Sequence, residues 1–194
     1  MNNYIYRRKQ SDKYLSEQIK ICSKIFQCQP SDFRLPTIQE DFNGVDLWIK
    51  NKGIALRIRN RKLEDLTLRL VKNNNNENEL TKLKGGNMDY ILQCQTDTKN
   101  ENKISDWFLF DGQRLKAVAR DNFQNIKTTE IEGDTSHFLA INIDDLFDKA
   151  QDSIVAKGFT REIEVENEHG VIEKRYERIY DWFKPKESVA YDKL

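Results

Sequence analysis

The residues with the clearest chemical potential lie between Glu40 and Arg61, in the stretch E-D-F-N-G-V-D-L-W-I-K-N-K-G-I-A-L-R-I-R-N-R. Asp46 is a carboxylate, Arg57 and Arg59 are guanidiniums two positions apart, and Glu40-Asp41 supply two more acids just upstream. Two or three carboxylates gathered here can bind Mg²⁺, a hard cation that takes oxygen ligands and shares them with substrate phosphate. Adjacent cations then neutralise charge developing at phosphorus. The same spacing also suits a half-buried cross-strand ion pair that serves only the sheet. No phosphate-binding glycine loop, HExxH or paired CxxC is present, and two histidines, His137 and His169, leave little material for a histidine metal site or a Ser-His-Asp triad.

The elements around these residues read as two short strands and a tight turn. Val45, Leu47 and Ile49 alternate with Asp46, Trp48 and Lys50, and Ile54, Leu56 and Ile58 alternate with Arg57 and Arg59. Side chains alternate across a strand, so bringing the apolar faces together pairs odd with even numbers and demands an even loop. A two-residue Asn51-Lys52 loop sets Asp46 across from Arg57, and a loop longer by two sets it across from Arg59.

Upstream, Ser11 to Gln27 is expected to be a helix capped by Ser11, with a stripe of Leu15, Ile19, Cys22 and Phe26. Asp32 to Thr37 reads as a short edge strand between Pro30 and Pro36. Downstream come a strand over Asp65 to Val71, a loop over Lys72 to Asn78, and a short helix over Glu79 to Lys84 ended by Gly85-Gly86. Strands follow at Tyr90 to Gln95, Ser105 to Asp111 and His137 to Ile143; Gln113 to Arg120 is open between helix and strand. Asp144 or Asp145 is expected to cap a helix through Lys157 that Gly158 ends, and a hairpin follows around Glu168-His169-Gly170. The sum is an α+β or mixed α/β domain.

The chain has 194 residues, 33% of them charged and 38% apolar, enough for one sizeable core. It contains no apolar run of membrane-span length, and its N-terminus lacks a signal-peptide core. Cys22, Cys28 and Cys94 lack metal-ligand spacing and suit a reducing cytoplasm. Net charge is zero, yet eight basic residues fall between Lys50 and Lys72 against Glu64 and Asp65. That run is either a phosphate-holding patch or a solvated face. Trp48, Trp107 and Trp182 are candidates either for stacking on bases or for packing.

The order of helix, strand, Asp-bearing strand and charged strand resembles the restriction-endonuclease-like superfamily, known by its PD-(D/E)XK motif. A narrower likeness is to phage and bacterial members with an E-D-x-x-x-x-D strand, an R-x-R strand and a T/N-E-L-x-K helix. Here these are Glu40-Asp41 with Asp46, Arg57 with Arg59, and Glu79-Leu80 with Lys82. The resemblance covers roughly residues 11–148. It implies an α-β-β-β-α-β core with a central mixed sheet flanked by helices, a nuclease-like domain over 1–158, and a hairpin and tail over 159–194 without an assigned role. It further implies a cytoplasmic Mg²⁺- or Mn²⁺-dependent endonuclease acting on DNA, with a homodimer compatible with the reading. Asp46 and Glu79, with Asp41 or Glu40, would be the metal ligands. Arg57, Arg59 and Lys82 would act on the scissile phosphate, and Arg57, Arg59, Arg61, Lys62 and Arg69 would hold DNA. The departures are specific. Val45 replaces the proline before the motif aspartate, Arg57 the second acid and Arg59 the lysine. An arginine does not act as a base near neutral pH. Glu79 would restore the acid and Lys82, three residues on, the lysine. A helix-start glutamate is also favoured simply by the helix dipole. The same scaffold without activity would be a module binding nucleic acid or a protein partner.

Overall fold

The computed structural model describes residues 2–59, 65–71, 88–96, 103–121, 128–131, 134–142, 146 and 153–183. Helix α1 spans Asn2–Phe26, beginning well before the expected cap at Ser11. Its buried side is Tyr14, Gln18, Ile21, Cys22, Ile25 and Phe26, with Leu15 and Ile19 half-buried beside it. The three- and four-residue steps define one stripe, turned slightly from the expected one. The helix ends where Gln27 adopts φ 51° and the Cys28 N–H reaches back to the Ser23 carbonyl, which satisfies an otherwise orphaned helix-end group.

A short turn of 3-10 helix, Pro30–Asp32, leads into β1, Phe33–Arg34. Next comes a five-residue helix, α2, Ile38–Phe42. The strands β2 (Leu47–Ile49), β3 (Lys52–Arg59) and β4 (Asp65–Val71) follow. Later elements are β5 (Tyr90–Thr96), β6 (Ile104–Asp111), α3 (Gly112–Asp121), β7 (Thr128–Ile131), β8 (Asp134–Asn142), β9 (Ile154–Glu166) and β10 (Ile172–Phe183). The segment left open between helix and strand is therefore the helix α3.

The protein is mixed α/β. Seven strands form the central sheet in the order β1-β2-β3-β5-β6-β9-β10, and β4-β8-β7 form a second, antiparallel sheet. Among the described strand pairs only β3–β5 is parallel. Strand β4, expected over the same residues, belongs to the second layer and pairs with β8. The β2–β3 loop has two residues, as the alternation demands, but they are Lys50 and Asn51, since Ile49 pairs with Lys52. Lys50 takes φ 52°, which lets so short a loop close.

Each face of the central sheet has its own cover. Leu47, Ile49, Ile54, Leu92, Cys94, Trp107 and Leu109 pack beneath α1. Ala55, Ile91 and Phe110 pack on the opposite face with Leu66 and Leu68 of β4, Leu115 of α3, and Leu146. A helix thus flanks one face, and a sheet plus α3 flanks the other. Among the described residues no helix is long and apolar enough to cross a membrane.

The expected helix through Lys157 is corrected. Residues 154–157 begin β9, and Gly158 lies within that strand opposite Trp107 and Tyr180. The expected domain boundary at 158/159 also falls inside β9, which pairs with β6 and so belongs to the main sheet. Glycine is needed here for space rather than for a helix stop. A Cβ at Gly158 would lie 2.2 Å from the Ile179 carbonyl oxygen and 2.3 Å from the Trp107 ring. We expect Gly158→Ala to destabilise the fold by about 1–3 kcal/mol through overpacking. Urea unfolding checks this, and an unchanged midpoint would contradict it.

Candidate functional site

The site is delivered by a chain reversal built from Thr37 to Asp46. Thr37 caps α2 by accepting from the Glu40 N–H at 3.3 Å, and the Glu40 carboxylate returns to the Thr37 N–H at 2.7 Å. This reciprocal box explains why so short a helix forms here. Gly44, at φ 89°, turns the chain, with its N–H on the Asp41 carbonyl and the Val45 N–H on that of Glu40. Val45 is then buried, and Asp46 emerges at the head of β2.

Asp46 performs two tasks with one oxygen. Regular β2–β3 pairing runs from Ile49–Lys52 to Leu47–Ile54, and the Asp46 N–H closes onto the Ile54 carbonyl. The next β3 amide on that side, Leu56, donates instead to Asp46 Oδ2 at 2.7 Å. The Arg57 guanidinium meets the same Oδ2 at 3.0 Å through Nη1, which also donates to the Leu56 carbonyl. The Asp46–Arg57 proximity expected from alternation is therefore present, reached by a register two residues different from that of an Asn51-Lys52 loop. Both the Leu56 and the Arg57 contacts fall on Oδ2.

Desolvation raises the Asp46 pKa, even though 32% of its side chain stays exposed. The Arg57 charge and the Leu56 N–H oppose the rise, and the charge of Asp41 adds to it. Asp41 is thus near enough to act on Asp46. Glu40 is committed elsewhere: both of its oxygens take the Arg34 guanidinium, at 2.7 and 2.9 Å. Arg34 in turn lies over the Trp48 ring, 4.9 Å from its centroid.

Along the same sheet face, Arg57 stands beside Gln93 with Phe108 one strand beyond, and Arg59 beside Gln95 with Asp106 one strand beyond. Gln93 is buried and donates from Nε2 to the Asp65 carbonyl at 2.8 Å, which ties β4 over this row. Arg59 is half-buried and, among the described residues, makes no ion pair. Arg69 lies in β4. Glu79, Lys82, Arg61 and Lys62 lie outside the described residues, as does the expected helix that carries Glu79 and Lys82.

The residues missed from sequence are Arg34, Gln93 and Asp65. Gln93 and Gln95 were visible as polar positions interrupting the apolar strand Y-I-L-Q-C-Q-T. Asp65 read only as a strand start, yet its Oδ1 is buried without a hydrogen-bond partner among the described residues.

The donors suit a hard cation in kind, since carboxylate oxygens are what Mg²⁺ takes and it commonly uses only one or two of them. In number they are few: no group of three His, Cys, Asp or Glu residues poised for a metal occurs among the described residues. Nucleophilic cysteine chemistry finds no support. Burial pushes the Cys22 and Cys94 thiols up, and burial together with Asp32 pushes Cys28 up to about 11. Comparison with protein-family models, curated proteins and solved structures finds no match to this chain.

The Arg34–Glu40 pair carries a pH signature. Hydrogen bonds from Arg34 and from the Thr37 N–H lower the Glu40 pKa to about 2, from an ordinary 4.5. The ionised form is therefore the one the fold binds. Its contribution is fully present above the ordinary value and is lost as pH falls from there through about 2. We expect thermal stability to fall more between pH 5 and pH 2.5 in the wild type than in Glu40→Gln; equal losses would contradict the assignment.

Proposed function

We propose that the chain is a metal-dependent, nuclease-like protein acting on DNA phosphodiesters, on a restriction-endonuclease-like core. The observation that carries this reading is the pairing of Asp46 with Arg57 at 3.0 Å on a partly open sheet face, with Arg59 two residues on. The strand order supports it. A helix followed by antiparallel β1–β2–β3, with β5 parallel to β3 beyond an intervening β4, is in keeping with the opening of an α-β-β-β-α-β order in a mixed sheet.

In this reading Asp46, Asp41 and Glu79 hold Mg²⁺ or Mn²⁺. Such an ion supplies polarisation of a phosphoryl oxygen and a lowered pKa for an attacking water. Arg57, Arg59 and Lys82 grip the scissile phosphate and neutralise its developing charge. Neither arginine serves as base, because a guanidinium stays protonated. Arg61, Lys62 and Arg69 extend the cationic track along the DNA backbone.

A second reading rests on a separate observation. Arg57 occupies the place of the second acid and donates directly to Asp46 Oδ2. That arrangement favours a module that grips a phosphodiester without cleaving it.

Incubation of supercoiled, linear and branched DNA with Mg²⁺ or Mn²⁺ separates the two. The wild type is expected to cleave, and Asp46→Ala and Glu79→Ala to lose about 100-fold or more of the rate, as for removal of one electrostatic contributor. Cleavage undiminished in Asp46→Ala contradicts the assignment. Should no DNA be cut, salt-dependent binding whose slope falls by about one on loss of Arg57 or Arg59 establishes the binding module.

A further inference from the structure

The geometry points to a nucleobase-stacking subsite formed by Arg34 and Trp48, beside Asp46, that takes an unpaired base of the substrate. The inference rests on the DNA reading above and names the form of DNA it concerns.

Arg34 and Trp48 are register partners in the β1–β2 pair. Trp48 is two residues from Asp46, so alternation turns both to the same side of the sheet. On its other flank Trp48 pairs with Gly53, which carries no side chain, although the indole Nε1 is buried. The second layer packs on Ala55, Ile91 and Phe110. The β1–β2 end of this face stays open: Arg34 keeps 52% of its side chain exposed.

The way Arg34 is held tells what it can bind. Its Nη1 and Nη2 both donate to Glu40, and Nη1 also reaches the Leu35 carbonyl at 3.3 Å. The Nη1–Nη2 edge is thus committed to Glu40 and the charge is paired, which weakens the group as a phosphate grip while Nε–H and one Nη2–H remain. Its central carbon lies over the Trp48 ring, 4.9 Å from the centroid, so the side of the guanidinium turned away from the indole is the surface offered to a planar ligand. A planar cation fixed on an indole presents a stacking surface, and a nucleobase is the planar group that DNA brings next to a phosphate. A base inside a duplex is already stacked on both sides, so the subsite takes bases that are unpaired. Glu40 and its Thr37 box fix the guanidinium beforehand, which lowers the ordering cost of binding.

The test uses the full chain, EDTA to prevent cleavage, and fluorescence anisotropy. Three labelled probes of equal length are compared: oligothymidylate, the same strand with abasic sites in place of bases, and a blunt duplex. The wild type is expected to bind oligothymidylate about tenfold or more tighter than the abasic strand or the duplex, the scale of one stacked base. Arg34→Lys keeps a cation beside Glu40 but lacks the plane, and is expected to abolish most of that ratio. Trp48→Phe keeps a ring and is expected to preserve part of it. Equal affinity for base-bearing and abasic strands overturns the inference, as does an unchanged ratio in Arg34→Lys or the absence of binding to any probe. Mg²⁺-dependent cleavage without a base preference leaves the nuclease reading standing and removes this one; a base preference without cleavage does the reverse.

Discussion

Strand β3 has neighbours of opposite direction on its two edges, and the site follows from how its backbone is satisfied between them. On one edge β5 runs parallel and pairs from Ile54 to Arg59. On the other, regular pairing with β2 stops at Leu47–Ile54, short of the Leu56 amide. A partly buried amide without an acceptor costs about as much as a lost hydrogen bond, so something must take it. Asp46 does, and the same oxygen fixes Arg57. One carboxylate therefore completes the sheet and places a cation on its open face.

That double use ties the Leu56 amide and the Arg57 guanidinium to one carboxylate oxygen. Desolvation there would favour a neutral acid, while Arg57 and the Leu56 N–H favour the anion. An ion bound to this carboxylate would act in the same direction as Arg57, and a bound phosphodiester would compete for the guanidinium. The two layers decide where this can happen. Strand β4 and α3 pack over the middle of the face, Gln93 ties β4 down beside Arg57, and Arg34 and Asp46 keep 52% and 32% of their side chains exposed.

Much of the architecture was legible because alternation and helical period carry it. The faces of β2 and β3, the even β2–β3 loop and the Asp46–Arg57 neighbourhood follow from side-chain direction. Other features were not, for physical reasons. Gly158 looked like a helix stop because a glycine excludes a side chain in either setting, and only the Trp107 ring and the Ile179 carbonyl reveal which applies. The position of β4 in a second sheet depends on β8, distant in sequence. The capping box in Thr37-Ile38-Gln39-Glu40 was a local signal, but it lay in a stretch read as strand and turn. Within the site, Arg34 was invisible as a partner of Trp48 because their pairing needs the β1–β2 register, which two strand residues do not announce.

The central claim is that the open β1–β2–β3 face is where DNA binds. Titrating a single-stranded oligonucleotide into isotope-labelled protein and following the amide resonances by NMR addresses it most directly. The account expects saturable shifts at Arg34, Asp46, Trp48, Leu56 and Arg57, with the β9–β10 hairpin from Glu162 to Glu177 unmoved. Shifts concentrated on that hairpin or on α1, with Asp46 and Arg57 unchanged, would contradict it.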